Sequence, residues 1–328
     1  MDSFDVNNIF SITNHSSAFD DQCFQNFQYQ YTHNLVYKQW CELNNCNPTN
    51  LKTPKDIPAL PISLFKTCPI ITTNSLPELV FESSGTTQTN LSRHWVADPG
   101  IYQQSFMGAF QLFYGDIKDW CILGLLPSYL ERKHSSLVVM VDELIKLSGH
   151  ELSGFYLNEN EKLSQNLQVL ESRHQKTILI GVTFGLLEFA KSFPQQLKYT
   201  LVMETGGMKG RRKEITRQEV HQLLSERLGV EKVHAEYGMT ELLSQAYSKG
   251  EGRYICPPWM KVLVRDEEDP MLVKTSGTGI LQVIDLANIY SCSFIATEDM
   301  GKVYEDGSFE VWGRMDNSDI RGCSLLVV

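Results

Sequence analysis

The apolar positions at the start of the chain recur at helical spacing. Phe24, Phe27, Tyr31 and Leu35 would lie on one face of a helix. This pattern predicts a helical segment over residues 1–50 whose aromatic face packs on the rest of the protein. Prolines follow at close intervals and predict an extended or turning chain, at positions 54, 58, 61, 69 and 77.

From about Trp120, short apolar runs alternate with helical patterns. Strands are predicted for WCILGLL, TILIGVTF, YTLVM and VHAEY, and helices for SSLVVMVDELIKL, LEFAKSF and TRQEVHQLLSERLG. In the last helix, Thr216 and Glu219 form a predicted capping box and Gly229 a predicted end. Such alternation predicts an α/β fold with a mainly parallel sheet covered by helices, in which ligands bind at the carboxyl ends of strands.

The helical patterns stop after Gly252, and a small β-rich section is predicted over residues 253–313. Its strands are KVLVR, ILQVIDL, CSFIA and KVYEDGSFEVWG, the last folding as a hairpin on Asp306-Gly307. The sequence therefore predicts one α/β body over residues 1–313 and a short tail over 314–328.

Composition narrows the classes of function. Of the 328 residues, 42% are hydrophobic and 21% charged, which is typical of a soluble globular protein. The net charge of -10 argues against sequence-independent nucleic-acid binding, which needs clustered cations. No apolar run approaches the length of a membrane span, no signal peptide is visible, and the eight cysteines indicate reduced thiols. We therefore expect a cytoplasmic protein.

Three loops that follow predicted strands carry candidate chemistry. The hydroxyls and backbone N–H groups of Ser83–Thr87 suit phosphate oxygens, although such a stretch is also typical of a solvated loop. Glycines in Glu204-Thr205-Gly206-Gly207 would let a flat base approach the backbone. In Tyr237-Gly238-Met239-Thr240-Glu241, a carboxylate beside a hydroxyl suits a magnesium ion on phosphates, or is an ordinary turn.

Two further positions bracket the predicted hairpin. Asp299 and Arg314 would either hold ribose hydroxyls or pair with each other at the surface.

The order of these motifs resembles that of the adenylate-forming enzymes, which join a carboxylic acid to AMP and pass the acyl group to a thiol. The sequences of its motifs are more similar to those of one branch, the acyl-protein synthetases. These are the long-chain-fatty-acid ligase components of the fatty-acid reductase in bacterial luminescence. The resemblance runs from about Ile57 onward, through IPALPISLFK, SSGTT followed by SRH, LPSYLER, ETGGMKGRRKEITRQEVH, YGMTELLSQAYS and GRMDNSDIRGCSL.

The resemblance implies ATP and magnesium as cofactors, a carboxylic and most simply a fatty acid as substrate, and an acyl-accepting reductase or another acyl-handling protein as partner. It also implies a role for each matching residue. The ATP phosphates would contact Ser83, Ser84, Gly85, Thr86 and Thr87, and the base would contact Gly206, Gly207, Tyr237 and Gly238. Thr240 would touch the α-phosphate and Glu241 would bind magnesium. Asp299 and Arg314 would hold the ribose.

The sequence departs from the wider superfamily in two places. Gln88 follows Thr87 where a glycine and then a lysine are usual, and the nearest cation in sequence is Arg93. Residues 314–328 stand where the superfamily has a mobile domain with a catalytic lysine.

The resemblance implies that Cys323 accepts the acyl group, with Arg321 lowering its thiol pKa. The alternatives are a buried structural Cys323 in an acyl- or aryl-CoA ligase or carrier-protein loader, and a nucleotide-binding subunit that no longer catalyses. Cys121 and Cys292 are predicted to lie in the core.

Overall fold

The amino-terminal region is helical, as the aromatic pattern predicts. The computed structural model describes residues 6–13, 17–72, 76–83, 91–127, 132, 134–206, 216–269 and 271–314. The first helices are α1 (Asn7–Phe10), α2 (Ser17–His33) and α3 (Leu35–Leu43).

The predicted aromatic face is wrong for one residue, Leu35. Phe27 is buried and Phe24 and Tyr31 pack partly against the core, but Leu35 is 70% exposed. The side chain of Asn34 caps α3 by accepting a hydrogen bond from the Tyr37 N–H at 2.9 Å. The cap starts a new helix, so Leu35 does not share the face of α2.

The proline-rich stretch forms no α-helix in its described part. It contains two 3₁₀ turns, Pro54–Asp56 and Ile62–Lys66, and the short strand β1 (Leu60–Pro61). A separate antiparallel pair follows, β2 (Leu79–Glu82) with β3 (Arg93–Val96), and then the helix α4 (Pro99–Tyr114).

The strand–helix alternation predicted from Trp120 is present. Its elements are β4 (Cys121–Leu125), α5 (Ser136–Ser148), β5 (Gly154–Phe155), α6 (Asn160–Ser172), β6 (Thr177–Gly181), α7 (Thr183–Ser192), β7 (Thr200–Glu204), α8 (Arg217–Leu228) and β8 (Val233–Tyr237). The five strands pair in parallel in the order β5-β4-β6-β7-β8. The helix α8 begins with the predicted Thr216–Glu219 capping box and ends at Gly229 in the left-handed conformation.

The β-rich section continues this same sheet with antiparallel strands. They are β9 (Ala246–Ser248), β10 (Arg253–Ile255), β11 (Met260–Arg265), β12 (Val273–Lys274), β13 (Gly277–Asp285), β14 (Phe294–Val303) and β15 (Phe309–Arg314). From β8 the order is β9-β10-β15-β14-β13-β11-β12, and β1 adds to β14 in parallel. The predicted α/β class is therefore confirmed, and the β section extends the main sheet.

Alternate residues of the parallel strands face opposite layers. In β4, Cys121, Leu123 and Leu125 pack with the buried leucines of α6 and α8, whereas Ile122 packs with α4 and α5. The sheet is thus covered on both sides, which leaves its carboxyl edge as the place where strand ends meet solvent. No helix within the described residues combines the length and the apolar character needed to cross a membrane.

Candidate active site

The predicted base-binding motifs lie at the carboxyl edge of the parallel strands. Tyr237 is the last residue of β8, and Gly206 lies two residues beyond β7, which pairs with β8 in parallel. Gly206 has a φ of 74° and no neighbour within 4 Å of the place a Cβ would take. Its backbone conformation favours glycine and leaves one face open, as the hypothesis of a bound flat base requires.

The two residues predicted to hold ribose are joined to Tyr237. The Tyr237 hydroxyl donates a hydrogen bond to Asp299 Oδ2 at 2.8 Å, and Arg314 Nε lies 3.2 Å from Asp299 Oδ1. Asp299 and Arg314 are register partners in β14 and β15, and Asp299 is buried whereas the Arg314 side chain is 47% exposed. The pairing left open by the sequence is formed, and it holds the carboxylate in place beside Tyr237.

A small pocket connects this pair to Glu241. Its lining residues are Ile62, Lys66, Glu241, Thr297, Glu298, Asp299 and Arg314. Burial raises the pKa of Glu241, whereas the Ser92 side chain and the positive charges of Arg314 and Lys66 act in the opposite direction. The structure therefore brings the predicted magnesium ligand and the predicted ribose ligands to one opening.

The loop that carries Thr240 and Glu241 is fixed through its backbone. His94 of β3 makes a 2.9 Å hydrogen bond through Nδ1 to the carbonyl oxygen of Thr240, and Asn288 Nδ2 donates to the carbonyl oxygen of Glu241 at 2.7 Å. His94 is buried, and its desolvation lowers its pKa to about 4. A neutral His94 must donate from Nδ1, because a carbonyl oxygen only accepts.

Asp285 anchors the residues that follow. Its fully buried carboxyl group accepts hydrogen bonds from the N–H groups of Leu243 (2.8 Å), Ser244 (3.0 Å) and Ala287 (3.2 Å), and from the Ser244 hydroxyl (2.6 Å). Together with His94 and Asn288, this carboxyl group ties the loop after β8 to the end of β13.

Glu204 plays a similar part beside Gly206. Its Oε1 accepts a hydrogen bond from the Gly206 N–H at 2.8 Å and another from the Thr183 hydroxyl, and the His221 ring lies 3.7 Å from Oε2. Burial alone would raise the pKa of Glu204, but His221, Thr183 and the charge of Arg217 together lower it below its usual value. The glycine turn predicted to contact a base is thus held by a buried carboxylate.

A second buried carboxyl group lies on the neighbouring strand. Burial, and then the negative charge of Glu204, raise the pKa of Glu236 to about 8. Burial, and then the negative charge of Glu236, raise the pKa values of Tyr102, Tyr114 and Tyr247. A protonated Glu236 avoids placing a second negative charge in this interior.

Comparison with known proteins shows what the chain is similar to. The chain is 22% identical over 325 residues to the long-chain-fatty-acid–luciferin-component ligase of Aliivibrio fischeri, covering 91% of this chain and 85% of that protein. It superposes on 2-hydroxyisobutyryl-CoA ligase in the postadenylation state with a TM-score of 0.63, at 14% identity, over 92% of this chain and 68% of the other. The chain has the fold of the adenylate-forming enzymes. The predicted resemblance to this superfamily and to its luciferin-component ligase branch is confirmed.

A further structural relative is ATP-bound MatB of Rhodopseudomonas palustris, with a TM-score of 0.53 and 17% identity over 72% of this chain. The chain spans about half the length of that protein, 47%. No family model matches the sequence. The predicted enzyme class, an acyl-activating ligase, agrees with the sequence relative.

Part of the predicted site lies outside the described residues. This applies to Ser84, Gly85, Thr86, Thr87, Gly207 and Cys323. Ser83 lies at the edge of the loop, and its hydroxyl accepts a hydrogen bond from the Ser92 N–H at 3.0 Å. Arg93, the cation nearest to the loop in sequence, lies 3.1 Å from Glu82 across β2 and β3 and does not line the pocket.

Sequence reasoning missed four residues of the site. Lys66, His94, Asp285 and Asn288 lie in the pocket or hold its loop. Lys66 and His94 belong to stretches that carry the family resemblance, IPALPISLFK and SRH, and this was the available signal. Asp285 and Asn288 had none, because their partners lie about 45 residues away along the chain.

The described residues fit a magnesium ion that arrives with a nucleotide. No group of three or more His, Cys, Asp or Glu side chains within them forms a metal cage. Magnesium in nucleotide enzymes takes one or two carboxylates and otherwise phosphate oxygens and water, and Glu241 supplies one carboxylate at the pocket.

Proposed function

We propose that this protein activates a carboxylic acid with ATP and passes the acyl group to its own Cys323. The observation that carries the first half is the single opening that joins Glu241 to the Tyr237–Asp299–Arg314 group. In the wider superfamily the matching residues contact the metal, the base and the ribose of one nucleotide. The geometry is consistent with that assignment, because Glu241, Asp299 and Arg314 line one opening and Tyr237 is hydrogen-bonded to Asp299.

The first reaction forms an acyl-adenylate. A carboxylate oxygen attacks the α-phosphorus of ATP, and the bond from that phosphorus to the pyrophosphate oxygen breaks. Negative charge grows on the α-phosphate, where the Thr240 hydroxyl, which makes no hydrogen bond to the described residues, is free to donate. Magnesium, held by Glu241 and the phosphates, would neutralise charge on the leaving group.

The second reaction forms a thioester. The Cys323 thiolate attacks the acyl carbon, and the carbon–oxygen bond to AMP breaks, releasing AMP. The described cysteines leave few competitors, since six of the seven are buried and burial raises the thiol pKa of each: Cys23, Cys41, Cys46, Cys121, Cys256 and Cys292. The predicted core positions of Cys121 and Cys292 agree with this burial. Cys68 is half-buried and serves as a control.

The name of the sequence relative supports a proposal for the substrate. That relative is named a long-chain-fatty-acid ligase of a luciferin component. We therefore propose a long-chain fatty acid as the substrate. We also propose a fatty-acid reductase or another acyl-handling enzyme as the next acceptor and the cytoplasm as the location, as the family resemblance implies.

The test is acyl labelling with a radioactive fatty acid, ATP and magnesium. Label that survives denaturation and is released by hydroxylamine is expected in the wild type and in Cys68→Ala, and is expected to be absent from Cys323→Ala. If Cys323→Ala keeps the label, another residue is the acceptor. If adenylate forms but the label appears only on added CoA or on an added carrier protein, and never on this protein, the protein is an external-thiol ligase. If no adenylate forms with any acid, the chain is a nucleotide-binding subunit.

A further inference from the structure

The site contains a cation that no motif of the sequence assigned. Lys66 lines the small pocket together with Glu241, Asp299 and Arg314. We propose that Lys66 binds the phosphate oxygens of ATP and supplies the positive charge that the Ser83–Thr87 loop lacks. This inference rests on the proposed adenylation and adds a residue to it.

The backbone of Lys66 is built into the site. It is the last residue of the 3₁₀ turn Ile62–Lys66, whose Ile62 and Phe65 side chains are buried. The preceding strand β1 pairs with β14, where Pro61 lies opposite Ala296, three residues before Asp299. Phe65 also packs edge-on against His94, with ring centroids 5.8 Å apart. The position of Lys66 is therefore fixed by the same strands that carry the nucleotide-site residues.

The charges around the pocket leave Lys66 available. Arg314, the other cation in the lining, is paired with Asp299 at 3.2 Å. Lys66 forms no ion pair with the described residues, and its side chain is exposed. Its charge reaches Glu241, on whose pKa it has a lowering effect. Three carboxylates also line this opening, Glu241, Glu298 and Asp299, and they would repel a triphosphate. The uncommitted ammonium group of Lys66 supplies an attraction that offsets this repulsion.

The chemistry of activation gives this charge a role. When the bond between the α-phosphorus and the pyrophosphate oxygen breaks, negative charge accumulates on the phosphate groups. A lysine in a partly enclosed site stabilises that charge more than it stabilises the bound ATP, and so contributes to rate as well as to binding. The wider superfamily places a lysine shortly after its phosphate loop. In this chain Gln88 follows the loop, and the next lysine along the sequence is Lys118. Arg93 is committed to Glu82.

The experiment measures ATP–pyrophosphate exchange of the full-length protein with Lys66→Met, which keeps the length of the side chain and removes its charge. Lys66→Arg restores a cation. Lys55→Met, at an exposed lysine of the preceding turn that does not line the pocket, is the matched control. We expect kcat/KM for ATP to fall about 100-fold in Lys66→Met, with kcat reduced as well, and to recover at least partly in Lys66→Arg. The KM for the acid and the thermal midpoint of unfolding should stay at wild-type values.

Two results would overturn the inference. If the wild type exchanges pyrophosphate and Lys66→Met remains within about twofold of it, adenylation stands and Lys66 has no part in it. If the wild type exchanges with no acid, the proposed function fails, and Lys66 is judged by calorimetric titration with Mg·ATP. Weaker ATP binding by Lys66→Met but not by Lys55→Met would then support the contact, whereas equal binding, or no binding by the wild type, would refute it.

Discussion

Replacing His94 tests how much its buried hydrogen bond to the Thr240 carbonyl oxygen contributes to positioning the loop that carries Thr240 and Glu241. Asparagine places its amide nitrogen near the position of Nδ1, from which His94 reaches the Thr240 carbonyl oxygen at 2.9 Å. Glutamine places its amide nitrogen near the position of Nε2, which makes no hydrogen bond to the described residues. His94→Asn is therefore expected to keep the bond to Thr240, and His94→Gln is expected to lose it.

The magnitude follows from burial. His94 is 1% exposed, so the Thr240 carbonyl oxygen has no access to solvent from the side of His94. An unsatisfied buried acceptor costs about 1–3 kcal/mol, or about 5- to 150-fold if the whole cost appears in the transition state. Displacing Thr240 by about 1 Å is enough to lower kcat about 100-fold. We expect His94→Gln to lose about 10- to 100-fold in kcat of exchange and His94→Asn less than about fivefold.

The assays are urea unfolding and the kinetics of ATP–pyrophosphate exchange. The stability measurement is the control. Asparagine leaves the larger gap beside Phe65 and Phe81, and glutamine leaves the Thr240 carbonyl oxygen without a donor, so both variants should lose stability. Only His94→Gln is expected to lose much activity. If His94→Asn and His94→Gln lose equal activity, or if activity follows stability in both, the bond to Thr240 does not position the loop.

Three further changes have clear expected results. Asp285→Asn replaces an acceptor of several hydrogen bonds by a group that also donates, and should lower the free energy of unfolding by about 3 kcal/mol in urea titrations. Glu241→Gln should raise the magnesium concentration for half-maximal exchange at least about tenfold without changing the thermal midpoint by more than a few degrees. Because the pKa of Glu236 is raised to about 8 in the folded protein, the folded state binds its proton more tightly than the unfolded state. Wild-type stability should therefore fall between pH 5 and pH 8, and Glu236→Gln should reduce that fall; an unchanged pH profile would place Glu236 in contact with solvent.

The parallel half of the fold could be predicted from sequence because its elements are short and clearly bounded. Strand β4 ends before Pro127, and α8 begins at a capping box and ends at a glycine. Helix α4 was not predicted because it also carries apolar residues outside its buried face, such as Met107, Leu112 and Phe113. These residues obscure the 3.6-residue period in the sequence. Helix α6 was also missed, although Leu163, Leu167 and Leu170 carry that period.

The candidate site was predictable only where its residues stand in contiguous motifs. Tyr237 and Glu241 lie in one loop, and Asp299 and Arg314 flank one hairpin, so sequence order alone places each pair. The contacts that fix the loop after β8 come from β3 and from the end of β13. These elements are far apart in sequence, and only the folded arrangement brings them together. Lys66 illustrates the same limit, because its approach to Glu241 depends on the pairing of β1 with β14, more than 230 residues away.

The most direct test of the account is acid-dependent exchange of labelled pyrophosphate into ATP by the wild-type protein, with short, long-chain and aromatic acids compared in parallel. We expect exchange with long-chain fatty acids that requires magnesium and falls sharply in Glu241→Gln. Absence of exchange with every acid, in a preparation whose folding is verified by a cooperative unfolding transition, would contradict the assignment of this site to adenylation.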